Sequence, residues 1–401
     1  MKRFTKSFTQ QEPISETAVE CAVAVMRSGR LHRYNVDPGE VSEVAALEEE
    51  YAAFQGTRYC LACASGGYAM QVALRAAGVK PGDKVLANAY TLAPVPGAIH
   101  SIGGRAVLVE IDDHYHIDLD DLSRKAEASG ARTLLLSHMR GHIADMDRLV
   151  AICDDFGIDL IEDCAHTMGA HWRGTRSGNF GKVACFSTQT YKHINSGEGG
   201  FITTDDPELA ARAVVLSGSY MLYGRNGAIP DEDVFHHVRL DVPNCSGRMD
   251  NLRAAILRPQ LAGLDEAVAR WNARYDLLAE GFRAVPGLRL PGRDPREHYV
   301  GSSIQFFAEG LRREAIPQFL ENCAARGVEL KWFGDAEPKG FTSRYDSWRY
   351  LGEQPELPQT LAVLDKTCDM RVPLTFDLDD CRLIVEIVGE EVARLRSDQA
   401  A

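Results

Sequence analysis

The stretch VACFSTQTYKHINSGEGGFITT, residues 183–204, decides the fold and holds the first candidate reactive group. It opens on an apolar run, Val183 to Phe186, and closes on another, Phe201 to Thr204, and both predict short buried strands. The turn between them contains Lys192 and several glycines. Because burial disfavours an ammonium, a lysine placed here would have a lowered pKa and act as a nucleophile toward a carbonyl group. An ordinary surface lysine in a connecting loop is the alternative.

Composition narrows the class of function. The chain has 401 residues, 45% of them hydrophobic, and a formal net charge of −13. An acidic chain without a polybasic run does not favour nucleic acid or an anionic membrane as its partner. The N-terminal segment lacks an apolar signal region, and no apolar run has the length of a membrane span. We therefore expect a cytoplasmic protein whose ten cysteines are reduced.

Two patterns have the appearance of metal sites. Cys60 and Cys63 match C-x-x-C, but an offset of three on a predicted strand places them on opposite faces. His114 and His116 share a strand face without a third ligand nearby in the sequence. We predict no metal site.

Short apolar runs alternate with amphipathic helical segments over the first two thirds of the chain. This alternation predicts an α/β fold, with a mostly parallel sheet between two layers of helices. Beyond a long predicted helix that starts at Leu264 the pattern changes to that of a smaller α+β domain. We therefore divide the chain into a large domain, 1–263, and a small C-terminal domain, 264–401, and consider that the N-terminal ~30 residues pack on the small domain.

Glycines and polar residues follow several of the predicted strands, where α/β sheets bind their ligands. Ser65, Gly66 and Gly67 separate a strand from a helix, an arrangement that offers free backbone N–H groups to a phosphate. Asp163 follows the predicted strand 158–162. We interpret it either as a helix cap or as a carboxylate that keeps a pyridinium nitrogen protonated.

Several motifs carry a family resemblance over nearly the whole chain. They are Ala64-Ser-Gly-Gly67, Pro81-Gly-Asp-Lys-Val85, Ala89-Tyr-Thr91, Ala144-Asp-Met-Asp147, Ile161-Glu-Asp-Cys-Ala-His166, Phe186-Ser187, Lys192 with Gly197-Glu-Gly-Gly200, and Arg248-Met249. With these motifs the chain resembles the fold-type I pyridoxal-phosphate enzymes, and within them the DegT/DnrJ/EryC1/StrS family of sugar and aminocyclitol aminotransferases.

The resemblance implies pyridoxal 5'-phosphate as the cofactor, with Lys192 as its covalent anchor and Asp163 paired with its ring nitrogen. The other residues implied to contact it are Ser65, Gly66, Gly67 and Ser187 at the phosphate, Tyr90 stacked on the ring, His166 near the phenolic oxygen, Gln189 at the phosphate or substrate, and Asn244 from a neighbouring subunit. Ordinary packing is the alternative for Tyr90 and His166.

Some positions depart from the family pattern. Gly67 stands where the family commonly has Thr or Ser, so one hydroxyl contact to the phosphate is lost. Asn244 is displaced by two residues and Ser246 holds its usual place, so either of them is a candidate for the contact across subunits. In the small domain, Lys331-Trp-Phe-Gly334 replaces a His-Tyr-x-Pro stretch. These departures bear on the substrate more than on the cofactor.

Arg140 is a further departure, since the family commonly has an aromatic residue there. It follows a predicted strand on the side where ligands bind. We expect it to pair with a nearby acid such as Asp145 or Asp147, or else to bind an acidic group of a substrate. Arg248 is the second candidate for a substrate contact.

The resemblance implies an aminotransferase that moves an amino group from glutamate or glutamine to a ketone on a sugar, a cyclitol or a similar polyol. It also implies a homodimer or a dimer of dimers. Two alternatives stay open. One is a related eliminase or dehydratase, against which Lys192 argues because the family's sugar dehydratase variant has histidine there. The other is a cofactor-binding regulator without turnover.

Overall fold

The structure, a computed structural model, describes residues 2–37 and 39–400. Its helices are α1 Glu16–Ser28, α2 Glu43–Gln55, α3 Gly66–Ala76, α4 Pro94–Ser101, α5 Leu119–Ser129, α6 Met146–Phe156, α7 Pro207–Ser217, α8 Glu232–Val238, α9 Asn251–Ala262, α10 Leu264–Arg283, α11 Ile316–Ala325, α12 Pro358–Leu364 and α13 Leu378–Ala400. Its strands are β1 Tyr59–Cys63, β2 Lys84–Asn88, β3 Arg105–Val109, β4 Thr133–Ser137, β5 Asp159–Asp163, β6 His171–Trp172, β7 Thr175–Arg176, β8 Val183–Ser187, β9 Gly200–Thr204, β10 Glu297–His298, β11 Ser303–Phe307, β12 Lys331–Trp332 and β13 Thr367–Arg371.

A seven-stranded sheet in the order β1-β9-β8-β5-β4-β2-β3 forms the centre of the molecule. Its neighbouring strands pair in parallel except at β9, which runs antiparallel to both β1 and β8. The segments that follow β1, β2, β4, β5 and β8 therefore leave the sheet at one edge. The predicted mostly parallel sheet with flanking helices is confirmed.

Each face of the sheet carries its own hydrophobic core. Cys60 and Ala62 of β1 belong to the core that also contains side chains of α2, α6 and α9. Leu61 and Cys63 belong to the opposite core, with side chains of α3, α4 and α7. The two cysteines of the C-x-x-C pattern thus lie on opposite faces, as predicted, and each of the ten cysteines is a free thiol.

A third core fills the C-terminal part, between the antiparallel sheet β11-β13-β12 and the helices α10, α11 and α13. Helix α10 contributes to two cores. Val268 and Trp271 pack into the core of the large sheet, whereas Leu278 and Phe282 pack into the C-terminal one. The change of core therefore falls within α10, several residues after the division expected at 263/264.

The segment before α1 packs on the C-terminal part. Phe4 and Phe8 lie against Phe376, each with a ring-centroid distance of 4.9 Å, and belong to the same core. Helix α1 itself packs against α9. The N-terminal residues therefore bridge the two parts. Among the residues that the structure describes, none of the helices combines the length and the apolar character that crossing a membrane requires.

Glu48 of α2 is a buried charge that contacts three other segments of the chain, one of which is strand β1. Its carboxylate pairs with Arg33 at 2.8 Å, and neither side chain is exposed to solvent. It also accepts the N–H groups of Ala62 and Gly227, at 2.8 and 3.0 Å. Ala62 belongs to β1, the strand that leads into the Ser65 turn, so this ion pair helps to place the candidate phosphate site.

Replacing Glu48 by alanine should lower the free energy of unfolding by about 3–5 kcal/mol, because the Arg33 guanidinium is left buried without a counter-ion. Glu50 on the same helix is the matched control. It pairs with Arg258 while 41% exposed, so Glu50→Ala should cost about 0–1 kcal/mol. Denaturant titration of both variants measures the difference, and equal losses would contradict this role of Glu48.

Candidate active site

A cavity of about 570 Å³ lies beyond the carboxyl ends of the central strands. Most of the residues that the sequence singles out line it. These are Ser65, Gly66, Gly67, Arg140, Asp163, His166, Ser187, Gln189 and Lys192. The structure therefore brings together segments that are more than one hundred residues apart in the chain.

One end of the cavity is formed by the start of α3 and the end of β8. Ser65 caps the helix, since its Oγ accepts the N–H of Tyr68 at 3.1 Å. The first N–H groups of the helix, from Gly66 and Gly67, have no partner within the helix and suit an anion. A Cβ on Gly66 would lie 2.8 Å from the Cβ of Ser187, so glycine is required for this close approach.

Gly67 is under no such steric demand. A Cβ there would meet the Cβ of Pro94 at 3.8 Å, an ordinary contact. The glycine therefore leaves space in which a Thr or Ser side chain would fit. Backbone N–H groups and the Ser187 hydroxyl are the polar groups that this end of the cavity offers to an anion.

Asp163 ends β5 with its carboxylate in the cavity wall, and it is 6% exposed. The Ser137 hydroxyl donates to its Oδ2 at 2.9 Å, and the N–H of Ala165 donates to its Oδ1 at 3.1 Å. A turn, not a helix, follows it in the chain. The helix-cap interpretation is therefore wrong, and the carboxylate is oriented for a partner in the cavity.

Lys192 and His166 meet in the middle of the cavity, with 2.9 Å between Nζ and Nε2. The pKa of Lys192 is lowered to about 7, chiefly by desolvation and in addition by the charges of Arg140 and Arg371, against the opposing effect of Asp163. Burial, followed by the charge of Lys192, also lowers the pKa of His166 well below its usual value. Near neutral pH the pair thus offers a free amine beside a neutral imidazole, in agreement with the nucleophilic lysine expected from the sequence.

Tyr90 requires a correction. A ring that stacks on a ligand must present a face to the cavity, but Tyr90 is only 1% exposed. It packs edge-on against Phe333, with 5.1 Å between the ring centroids, and lies in a cluster with Tyr115. Leu92, two residues further along the chain, lines the cavity instead. The packing alternative for Tyr90 is the one that the structure shows.

Arg248 also lies away from the cavity. Its guanidinium donates to the carbonyl of Gly218 at 2.8 Å and lies over the ring of Tyr220. The predicted substrate contact is therefore not made within one chain. Asn244 and Ser246 are exposed on the adjacent loop, where Asn244 Oδ1 accepts the Ser246 N–H at 3.0 Å. Their contact with the cofactor of a neighbouring subunit stays a prediction.

Arg140 does line the cavity, but its acid is not one of those expected. It pairs with Asp369 at 2.8 Å, and its guanidinium carbon lies 4.6 Å from the ring centroid of Phe341. Asp145 instead caps α6, and Asp147 pairs with Arg173. The ion-pair interpretation is correct, whereas the partner comes from β13 of the C-terminal sheet.

The cavity residues that escaped the sequence analysis include Tyr191, Phe341 and Arg371. Of these three, Arg371 is the one that the sequence could have identified as a site residue. It stands two residues after Asp369 on a strand, and two charged side chains at that spacing share a face. Such a pair on a short buried strand indicates that the face meets either a charged partner or a ligand.

Comparison with known proteins agrees with this geometry. Residues 14–388 match the DegT/DnrJ/EryC1/StrS aminotransferase family. The chain is 32% identical over 374 residues to dTDP-3-amino-3,4,6-trideoxy-alpha-D-glucose transaminase of Streptomyces venezuelae, which covers 87% of this chain and 92% of that protein. It is 33% identical over 289 residues to L-glutamine:2-deoxy-scyllo-inosose aminotransferase of Streptoalloteichus tenebrarius. This match covers 71% of this chain and 67% of that protein.

Among solved structures, S. venezuelae DesV in complex with a ketimine intermediate has a TM-score of 0.79 at 27% identity and 94% coverage of each chain. The structure of 3-amino-5-hydroxybenzoic acid synthase has a TM-score of 0.80 at 24% identity, covers 98% of this chain and 99% of that one, and shows the same fold. The chain thus belongs to the DegT/DnrJ/EryC1/StrS aminotransferase family, and it is an aminotransferase.

Proposed function

We propose that this aminotransferase uses pyridoxal 5'-phosphate to move an amino group from glutamate or glutamine to a ketone on a sugar, a cyclitol or a similar polyol. The observation that carries the proposal is the Lys192 amine, with its pKa lowered to about 7, in a cavity that ends at the start of α3. The acceptor class is supported by the names of the relatives, which act on a sugar and on a cyclitol.

The cavity residues fit the chemical groups of this cofactor. The N–H groups of Gly66 and Gly67 and the Ser187 hydroxyl suit a phosphate dianion. Lys192 provides an amine for the aldehyde, and Asp163 provides a carboxylate for the ring nitrogen. Leu92 supplies the apolar surface that was expected from Tyr90. We therefore assign the cofactor to these residues.

When bound, pyridoxal phosphate supplies a carbonyl for amine exchange and an electron sink for the reacting carbon. The protein residues supply positioning and proton transfer. Lys192 Nζ takes and returns a proton near neutral pH because its pKa is close to the working pH. His166 holds Nζ in place, and the anchored Asp163 carboxylate favours a protonated partner.

Neither alternative gains support from the structure. Lys192 is retained where the dehydratase variant has histidine, and an anchored carboxylate and a free amine in one cavity suit turnover better than regulation.

We propose in addition a homodimer built across the loops around 220–222 and 240–246. Tyr220, Met221 and Leu240 are apolar side chains of these loops that are 59%, 56% and 84% exposed, and such exposure is typical of an interaction surface. In a two-fold dimer each copy would present this patch and its Asn244 to the other.

Lys192→Ala should abolish amino transfer, because the chain loses the amine that anchors the cofactor and moves the proton. Borohydride reduction of the cofactor-loaded wild-type protein, followed by peptide mapping, should label Lys192. Lys182 is the matched control. It lies directly before β8 and is 55% exposed. Its alanine variant should keep both activity and label, and a label on any other lysine would refute the assignment.

The pH dependence of Lys192 gives an independent measurement in the cofactor-free protein. Competitive acylation of its amine should rise through pH about 7, since the amine is protonated below its pKa and free above it. A rise only near pH 10, the range of an ordinary lysine, would contradict the desolvation of Lys192.

Asp163→Asn should retain the cofactor and lose about 2–4 kcal/mol of transition-state stabilisation, a rate loss of roughly 30- to 1,000-fold. A neutral amide no longer favours the protonated form of the ring nitrogen. Cofactor content and kcat are measured on the same sample. Ser137→Ala, which removes one of the two donors to Asp163, should lose less. Turnover by Asp163→Asn close to the wild-type value would contradict this role.

The proposed dimer predicts that Met221→Glu combined with Leu240→Glu shifts the protein toward monomer, because charges replace the apolar patch. Light scattering over a concentration series measures the mass. Leu378→Glu is the control, an apolar residue that is 40% exposed on the C-terminal part. A wild-type protein that is monomeric and active would contradict the assembly.

A further inference from the structure

Arg371 is an arginine of the cavity that has no counter-ion among the described residues. It ends β13, lines the cavity and forms no ion pair with any acid in residues 2–37 and 39–400. Its guanidinium carbon lies 3.7 Å from the ring centroid of Tyr191 and 5.0 Å from that of Phe341. Both rings lie against the guanidinium, and Tyr191 is also within hydrogen-bonding reach of it, whereas no acid of the described residues pairs with its N–H groups.

The neighbouring cation is already neutralised. Arg140 pairs with Asp369, whose other oxygen accepts the side-chain N–H of Gln305 at 2.7 Å. Asp369 is completely buried, so both of its oxygens are committed within the protein. The Arg140–Asp369 pair therefore adds no net charge to the cavity, and Arg371 feels the charge of Asp369 without pairing with it.

The remaining ionisable groups of the cavity do not compensate the charge of Arg371. Lys192 adds positive charge when protonated. The charge of Asp163 acts on Lys192, and neither Asp163 nor the exposed Glu198 forms an ion pair with Arg371 among the described residues. Burial and the charge of Arg140 lower the pKa of Arg371, which shows that the protein holds this cation at a cost. Such a cost is expected where the compensating charge arrives with a ligand.

We propose that Arg371 binds a carboxylate of the substrate, in the plane of its guanidinium between Tyr191 and Phe341. A planar guanidinium accepts a carboxylate through two parallel N–H···O bonds, a geometry that lysine does not reproduce. Arg371 thereby takes the role that the sequence suggested for Arg140.

This inference rests on the proposed function, in which one cavity receives the amino donor and the keto acceptor in turn. The carboxylate therefore belongs either to the α-amino acid or to an acidic ring ketone. In either case Arg371 sets substrate preference and leaves the cofactor to the residues of the large sheet.

Direct binding tests the inference without turnover. Isothermal titration of the cofactor-loaded protein would compare glutarate with glutaramide, and cyclohexanecarboxylate with its amide. In Arg371→Met the Kd of an acid should rise roughly ten- to a hundredfold while the Kd of its amide stays the same. An effect on glutarate assigns the donor carboxylate, and an effect on the ring acid assigns the acceptor. The KM of L-glutamate should rise, with kcat little changed, only in the first case.

Arg382→Met is the matched control, since it removes the same charge from a position on α13 that is 62% exposed. It should leave every Kd unchanged. Arg371→Lys keeps the charge and loses the paired N–H groups, so its Kd for an acid should lie between those of the wild type and Arg371→Met. Thermal melting of each variant checks that the fold is intact.

Several results would overturn the inference. They are no preference of the wild-type protein for either acid over its amide, tighter binding of inorganic phosphate than of both acids, and an equal loss of acid and amide in Arg371→Met. Failure of the proposed function gives a different result. A loaded protein that transfers no amino group, yet loses glutarate binding in Arg371→Met, would keep the carboxylate site and reject the reaction.

Discussion

The desolvation of Lys192 is the constraint on which the site depends. The lysine lies in the loop between β8 and β9, and the glycines at the end of that loop allow the chain to close tightly. A Cβ on Gly200 would lie 2.6 Å from the carbonyl oxygen of Phe186 and 2.7 Å from the backbone of Ser65. The loop therefore packs directly on the turn that offers N–H groups to an anion. Within this loop Lys192 lines the cavity, and its burial there lowers its pKa.

Much of this arrangement follows from local sequence patterns. Strands and helices alternate from β1 to α6, as the alternation of apolar runs and amphipathic segments predicts. Because parallel strands end at one edge of a sheet, the residues that follow them converge without any knowledge of long-range contacts. That argument suffices for Asp163 and Lys192, which both line the cavity.

The errors arise where the direction of a side chain depends on distant packing. Tyr90 and Leu92 both follow β2, and only the cluster around Phe333 decides that the tyrosine turns inward. Arg140 adopts φ 57°, so its side chain leaves the path that a regular strand end would give it. Its acid, Asp369, is far along the chain, and sequence proximity to other acids was therefore misleading.

The two parts of the protein contribute different things to the cavity. The large sheet supplies the residues assigned to the cofactor, and their positions are fixed by strand ends, a helix start and close glycine contacts. The C-terminal sheet supplies Asp369 and Arg371 from one strand, β13, and thereby sets the charge on the remaining wall. A change at Arg371 alters that charge and its effect on the pKa of Lys192, whereas the hydrogen bonds to Asp163 come from Ser137 and Ala165 of the large sheet and its edge. The departures from the family pattern at Arg140 and 331–334 lie on or beside this wall, since β12 pairs with β13. A family that keeps one reaction and varies its acceptor would place its variation there.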